Sequence, residues 1–327
     1  MNFDEVVKKY PEANFLQSPE YGKMNELLHD KVIVSDFDGL GHALMIVRNA
    51  KRGRYLEIPC GPLTDWTNKK TIKAVFDEIA KIGKAEKCVF VRVRPQLNGN
   101  EKNLKLLEAL GLKKSPMHLA AEHTVMLDLR KSEDELLADM RRQTRYEVRR
   151  ADKLGIKVEK DDSEALFKEF HKVQAETAKR QGFVPPNLNT LLAEREAFKG
   201  NIVIYVAKTE EGKPIAYGMF IKGGKEGDYY EAASTDLNRK LPGAYALLWQ
   251  AAKDLKMEGY ERFNLWGIAP PNQPNHRYAG VTTFKTGFGG EVIEYVPAHD
   301  LVLSKIGYLK DYMVEAIRKK KRHLWLG

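Results

Sequence analysis

Cysteine is nearly missing from this chain: two residues, Cys60 and Cys88, in 327. Both sit in apolar surroundings without metal-ligand spacing, so they read as small reduced core residues and point to the cytoplasm. Histidine is sparse, and its eight residues are scattered without ligand spacing. A dedicated metal site is therefore not expected. No run approaches the ~18 consecutive apolar residues of a membrane span. The N-terminal MNFDEVVKKYPEANF lacks the basic-then-apolar layout of a signal peptide. The chain also lacks GxxxxGK[ST], GxGxxG after a strand, HExxH, CxxC and GxSxG. Those absences argue against a nucleotide phosphate loop, a dinucleotide fold, a zinc protease, a dithiol redox centre and a hydrolase elbow.

What is present is ordinary globular composition, 43% hydrophobic and 30% charged. At about 150 residues per domain the length suggests two domains, each able to bury its own core. Net charge is +9, from 54 Lys and Arg against 45 Asp and Glu. That balance favours polyanions: nucleic acid, an acidic membrane face or phosphorylated substrates.

Apolar runs at Lys31–Val34, Leu44–Val47 and Tyr55–Pro59 read as a strand meander closed by Gly61-Pro62. Ile72, Val75, Phe76, Ile79 and Ile82 have the spacing of an amphipathic helix over 69–83. Cys88–Val93 is a β-branched strand, and a short helix with Leu104, Leu107 and Leu110 stops at Gly111. Ser132 and Glu135 form a capping box that opens one helix through about Leu154, stopped by Gly155. Further helices cover 163–181 and 187–198. A second meander follows at Ile202–Ala207, Pro214–Ile221 and Asp228–Ala233, then a helix over 243–257 and a strand at Arg262–Trp266. Both halves run meander, helix, strand, then a segment ending in Gly111-Leu112 or Gly287-Phe288. That order favours a duplicated α/β unit. Residues 301–327 read as an amphipathic helix with a basic end, Arg318-Lys-Lys-Lys-Arg322. This basic run is either a frayed tail or attracted to anionic headgroups.

Three stretches bear on chemistry. MRRQTRYEVRRADKLG sets Met140, Val148 and Ala151 on one face, and Arg141, Arg145 and Arg149 four apart, with Arg142, Arg150 and Lys153 beside them. Such a stripe either neutralises successive phosphates or is a solvated face. Arg239-Lys-Leu-Pro-Gly-Ala244 resembles the pyrophosphate loop of GNAT acetyltransferases, but Pro242 stands where that loop wants glycine and has no N–H to donate. Finally, YAGVTTFKTGFGGEV (278–292) reads as a buried strand turning a corner, with Lys285 inside it. A buried lysine charge is costly, so this lysine is either at an exposed edge or put to use.

Phe263-Asn-Leu-Trp-Gly-Ile-Ala-Pro270, followed by Gly280-Val-Thr-Thr-Phe-Lys-Thr-Gly-Phe-Gly-Gly-Glu291, closely resembles the Fem family of peptidoglycan-bridge aminoacyltransferases. Asn14-Phe-Leu-Gln-Ser18 resembles the family's N-terminal signature, and Cys60-Gly-Pro62 its short turn after the meander. Leu127-Asp-Leu129, leading to Arg145 and Arg150-Ala-Asp-Lys-Leu-Gly155, resembles its domain-two entry. The match spans nearly the whole chain in the family's order.

The resemblance implies an α/β (α+β) fold of two tandem GNAT-like domains without a coiled-coil arm, since nothing between about 155 and 200 is long enough to be one. Residues 1–123 with 297–327 would form the first domain, completed by the C-terminal helix, and 124–296 the second. The implied reaction moves an amino acid from aminoacyl-tRNA, as co-substrate, to a stem-peptide amine of a peptidoglycan precursor. No other cofactor and no metal is implied. Lys285 falls on the lysine of the family's Phe-Lys pair, with Phe284 before it, and would stabilise the oxyanion at the ester carbonyl. Arg141, Arg142, Arg145 and Arg149 would contact tRNA. Substrate-binding positions carry over unevenly. A family lysine falls on Asn25, with Lys23 nearby, and a family arginine and tyrosine fall nearest Pro186 and Thr190. A third-meander tyrosine falls on Glu231, beside Tyr229 and Tyr230. The acceptor site has therefore changed; the precursor would be linked to lipid or to UDP, and the protein would be cytoplasmic or in peripheral contact with the inner membrane face. Two alternatives stay open. One is an acetyl-CoA-dependent N-acyltransferase on a cell-envelope precursor, against which Pro242 argues. The other is a non-catalytic tRNA- or membrane-binding module.

Overall fold

The computed structural model describes residues 3–50, 53–271, 273 and 275–324, with side chains of the last helix described through Arg318. In chain order the first elements are α1 (Phe3–Lys9), α2 (Pro19–Leu27), β1 (Lys31–Ser35), β2 (Gly41–Ala50), β3 (Gly53–Pro59) and β4 (Leu63–Thr64). They continue through α3 (Lys69–Ala85), β5 (Cys88–Arg94), α4 (Glu101–Ala109) and β6 (Lys113–Lys114). Then come β7 (His123–Asp128), α5 (Glu133–Asp139), α6 (Arg142–Lys153), β8 (Lys157–Asp161), α7 (Glu164–Gln181) and α8 (Leu188–Ala197). The remainder is β9 (Ile202–Lys208), β10 (Pro214–Gly223), β11 (Glu226–Ser234), α9 (Gly243–Met257), β12 (Arg262–Gly267), α10 (Ala279–Thr286), β13 (Glu291–Glu294), β14 (His299–Val302) and α11 (Lys305–Leu324).

The chain divides into two compact units, one of residues 1–122 with 294–327, the other of residues 123–293. The first holds a sheet of order β1-β2-β3-β5-β14-β6, with β4 paired to β2. Strand β14, from the C-terminal segment, runs antiparallel between β5 and β6. Its seat is fixed by charge. The buried Arg92 guanidinium bonds Asp300 on β14 at 2.8 Å and Glu315 on α11 at 2.8 Å, and the Tyr308 hydroxyl reaches Asp300 at 3.1 Å. Removing one member of such a buried network leaves the others unpaired in a low dielectric, which locks α11 onto this sheet.

The signature residues near the N-terminus also hold structure. Asn14 Oδ1 accepts the Leu16 N–H, and the buried Gln17 amide bridges two strands, bonding both backbone groups of Leu44 and, at 2.6 Å, the Pro59 carbonyl. A Cβ on Gly61 would lie 2.9 Å from the Gln17 carboxamide carbon, so only glycine lets the turn close over it.

The second unit holds a sheet of order β13-β7-β12-β11-β10-β9-β8. Its plan repeats the first: a meander (β9-β10-β11), a parallel neighbour reached through a helix (β12), an antiparallel strand (β7) and a short last strand (β13). Leu112 and Phe288 are buried at corresponding places, each after a glycine and just before the short last strand. Among the described residues no long helix pair projects from the 155–200 interval. There α7 packs on α8 and on β11.

Two expectations are overturned. The helix expected over 132–154 is two helices: Met140 is extended (ψ 142°), and a new helix starts at Arg142. Residues 279–286 form α10 rather than a strand, and the chain turns through Gly289 and Gly290, both at positive φ, into β13.

Candidate functional site

The parallel pairing of β11 with β12 lasts three residues, Glu226–Asp228 against Arg262–Asn264, and then the strands part. On its other edge β11 carries an extra residue: Met219 faces Glu231 and Phe220 faces Tyr229, so Tyr230 bulges. The splay and the bulge together open a cleft of about 740 Å³ in the second unit. Its walls include Tyr229, Tyr230 and Glu231 from β11, Phe284 and Lys285 from α10, and Tyr245 from α9. Arg150, Arg239, Lys240 and Arg277 add positive charge to the lining.

The broken helix grips α10. At the break, the Arg141 N–H bonds the Gly287 carbonyl at 2.8 Å, and its guanidinium bonds the Thr283 carbonyl. Gly289 and Gly290 allow this closeness, since a Cβ on Gly289 would meet the Asp139 carbonyl oxygen at 2.8 Å. Phe284 and Phe288 pack edge-on, and Tyr245 stands edge-on to Phe284 at 4.9 Å. Thus α10 is held from two sides.

So positioned, Lys285 is 7% exposed although it lines the cleft. Its Nζ donates to the Gly267 carbonyl at 2.9 Å, at the end of β12, and lies 5.5 Å from the centre of the Tyr229 ring. Burial pushes its ammonium down from the ordinary value to about 7. Glu231 moves the other way. Burial raises its carboxyl to about 7, opposed by a 2.5 Å hydrogen bond from Gln174 Nε2. Behind it lies the buried Glu194, raised well above the carboxylate range by its own burial and by the charge of Glu231. The cleft therefore offers a cation and an acid that both change charge near neutrality.

Phe284, Tyr230, Glu231 and Lys285 come together in this cleft. Asn25 and Lys23 do not line it. Both belong to α2 in the first unit, where Asn25 is buried with its side-chain amide on the Tyr21 carbonyl at 2.7 Å and Lys23 is exposed. The arginine stripe divides. Arg141 is tied to α10, and Arg145 bonds the carbonyls of Leu137 and Ala138, closing the end of α5. Arg142 and Arg149 are exposed. Lys319–Arg322 lie outside the described side chains. At the start of α9 the Ala244 N–H is taken by Asn238 Oδ1 at 3.1 Å, and Pro242 offers none.

Reading by motif missed Gln174 and Glu194. Their signal is polarity on an apolar face: Gln174 sits at helical spacing from the buried Phe167, Phe170 and Thr177, and Glu194 from Leu191 and Ala197. Among the described residues no cluster could hold a metal ion, and no helix is long and apolar enough to cross a membrane.

Two units of one plan, the second with a splayed strand pair and a bulge opening its cleft, define a tandem GNAT-like fold. Solved structures share it. FemX superposes with a TM-score of 0.83 at 19% identity, covering 96% of this chain and 97% of that one. A tandem GNAT protein from the clavulanic acid biosynthesis pathway gives 0.53 at 11% identity, covering 81% and 79%. The FemAB family profile matches residues 1–108, 100–210 and 186–315, and the chain belongs to the FemAB family. Among its curated relatives, the aminoacyltransferase FemA of Staphylococcus epidermidis is 22% identical over 72% of this chain and 77% of its own length. The lipid II:glycine glycyltransferase of Staphylococcus aureus is 28% identical over 57% of this chain, and the match spans 48% of that relative.

Proposed function

We propose that this FemAB-family aminoacyltransferase transfers an amino acid from aminoacyl-tRNA to a primary amine on the stem peptide of a peptidoglycan precursor, with the chemistry in the cleft between β11 and α10. The observation that carries this reading is the buried Lys285 ammonium, held by one carbonyl and facing the cleft. An aminoacyl ester is already activated, so the catalyst's work is positioning and stabilising the oxyanion of the tetrahedral intermediate. Glu231, ionised, takes a proton from the incoming ammonium. The freed amine attacks the ester carbonyl, and negative charge develops on its oxygen. Lys285 meets that charge in a water-poor site, where Coulomb attraction is strong. When the carbon–oxygen ester bond breaks, the proton shed by the attacking nitrogen passes to the ribose oxygen, which leaves as a hydroxyl, and the amide is formed; the proton taken by Glu231 returns to water.

Glu231 in place of a neutral side chain supports a cationic acceptor, and the glycyltransferase relative acts, by name, on lipid II. A lipid-linked acceptor, reached from the cytoplasmic membrane face, follows as part of this proposal. An acetyl-CoA reading is disfavoured, because Asn238 and Pro242 already close the turn where pyrophosphate would sit. The test mixes the protein with a panel of charged tRNAs and with lipid-linked and nucleotide-linked pentapeptide, then weighs the products. A mass gain of one aminoacyl residue on the peptide is expected. Acetylated product from acetyl-CoA, with none from any charged tRNA, would overturn the reading.

A further inference from the structure

Helix α11 is amphipathic in the wrong sense for a helix resting on its own sheet. Its inner face is polar: Asp311 is buried, Glu315 is paired to Arg92, and the Tyr308 hydroxyl bonds Asp300. Its outer face is apolar. Ile306, Leu309, Met313 and Ile317 are 88%, 60%, 54% and 53% exposed, and their spacing of three, four and four residues puts them in one stripe. Tyr312 is exposed on the flank of that stripe. Four large apolar side chains more than half exposed along three turns are not the scattered singles of an ordinary surface.

Charge says what covers the stripe. The only acidic residues between 305 and 318 are Asp311 and Glu315, and both are spent on the inner face. The outward side chains are apolar or basic, with Lys305, Lys310 and Arg318 exposed beside the stripe. The sequence continues with four more basic residues, Lys319–Arg322. A protein partner would be recognised by a mix of charges and hydrogen-bonding groups. An apolar ridge whose own helix sets cations and no outward acidic residue beside it matches the boundary of an anionic bilayer, with acyl chains below and phosphates at the rim. We infer that α11 is a membrane-surface helix that lays Ile306, Leu309, Met313 and Ile317 into the headgroup boundary of an anionic bilayer. The buried Arg92–Asp300–Glu315 network holds the helix to its sheet while the outer face inserts. This inference is independent of the transfer reaction and stands or falls without it.

The test is flotation of the full chain with vesicles of equal parts phosphatidylglycerol and phosphatidylcholine, and with vesicles of phosphatidylcholine alone, with neither tRNA nor acceptor present. Binding to the anionic vesicles, weakened by salt, is expected, with little to the neutral ones. Lys310→Gln and Arg318→Gln should each weaken it about fivefold. A variant with Ile306→Ser, Leu309→Ser, Met313→Ser and Ile317→Ser should lose it. Should that variant fold poorly, Leu309→Trp supplies a second reading: the emission it adds over the parent, which has four tryptophans, should shift to shorter wavelength when anionic vesicles are added. No flotation at low salt, or no Trp shift, overturns the inference. So does a parent protein that is dimeric in solution and becomes monomeric in the serine variant, because the stripe would then be a self-association face.

Discussion

Replacing Lys285 with methionine keeps most of the side-chain volume and removes the charge, so it separates what the lysine costs the fold from what it gives the reaction. Burial lowers its ammonium from 10.5 to about 7, which corresponds to about 5 kcal/mol of unfavourable burial for the charged form. Between pH 7 and 10.5 the unfolded chain holds a proton that the folded chain has released, so stability rises with pH across that window. Below pH 7 the cost is felt in full. Methionine removes it but also removes the hydrogen bond to the Gly267 carbonyl, which returns roughly half. Lys285→Met should therefore stabilise the protein at pH 7 by about 2–3 kcal/mol, or roughly 4–10 °C in Tm, with the advantage shrinking towards pH 10. Single-turnover transfer should fall by about 10²–10³-fold, with both substrates still bound. Thermal unfolding at pH 7 and pH 10 beside the transfer assay decides it. A variant that is less stable than the parent at pH 7 and equally impaired in binding would make Lys285 a structural residue.

Transfer should peak near neutrality, rising as Glu231 ionises and falling as Lys285 loses its proton, since both change near 7; Glu231→Gln should abolish the acidic limb of a kcat/KM–pH profile. Arg141→Ala should lower kcat through loss of its hold on α10 while tRNA affinity is kept. In contrast, Arg142→Gln with Arg149→Gln should weaken tRNA binding and flatten its salt dependence, as read by filter binding across salt concentrations. Glu194→Gln should remove part of the stability lost between pH 5 and pH 8, because the parent's folded state there keeps a proton that the unfolded chain gives up; thermal melts at the two pH values measure it.

The strands and long helices were legible because each is specified locally. Ile202–Ala207 is a continuous apolar, largely β-branched run, and α3 and α9 carry a continuous apolar face. The break at Met140 was not legible, since no glycine or proline marks it and Met140 fits the apolar face of one longer helix. It exists because the Arg141 N–H is claimed by the Gly287 carbonyl, a partner far along the chain. For the same reason α10 reads as a strand. Val281, Thr282 and Thr283 are β-branched, yet Thr282 Oγ accepts the Ala269 N–H and Arg141 bonds the Thr283 carbonyl, so local preference yields to tertiary contacts.

The site divides along the same line. Lys285 could be singled out because a lysine among apolar and glycine residues violates the pattern around it. Glu231 could be placed at the cleft only through the resemblance, and its behaviour could not be read at all: it depends on Gln174 and Glu194, 57 and 37 positions earlier, on two different helices. The break and the cleft are one device. A continuous helix over 132–154 would leave no N–H at Arg141 to seize α10, and without that grip the lysine on α10 would have no fixed relation to the Gly267 carbonyl. The residue that breaks the local pattern carries the charge, and the helix that breaks in the middle holds that charge where β11 and β12 have parted.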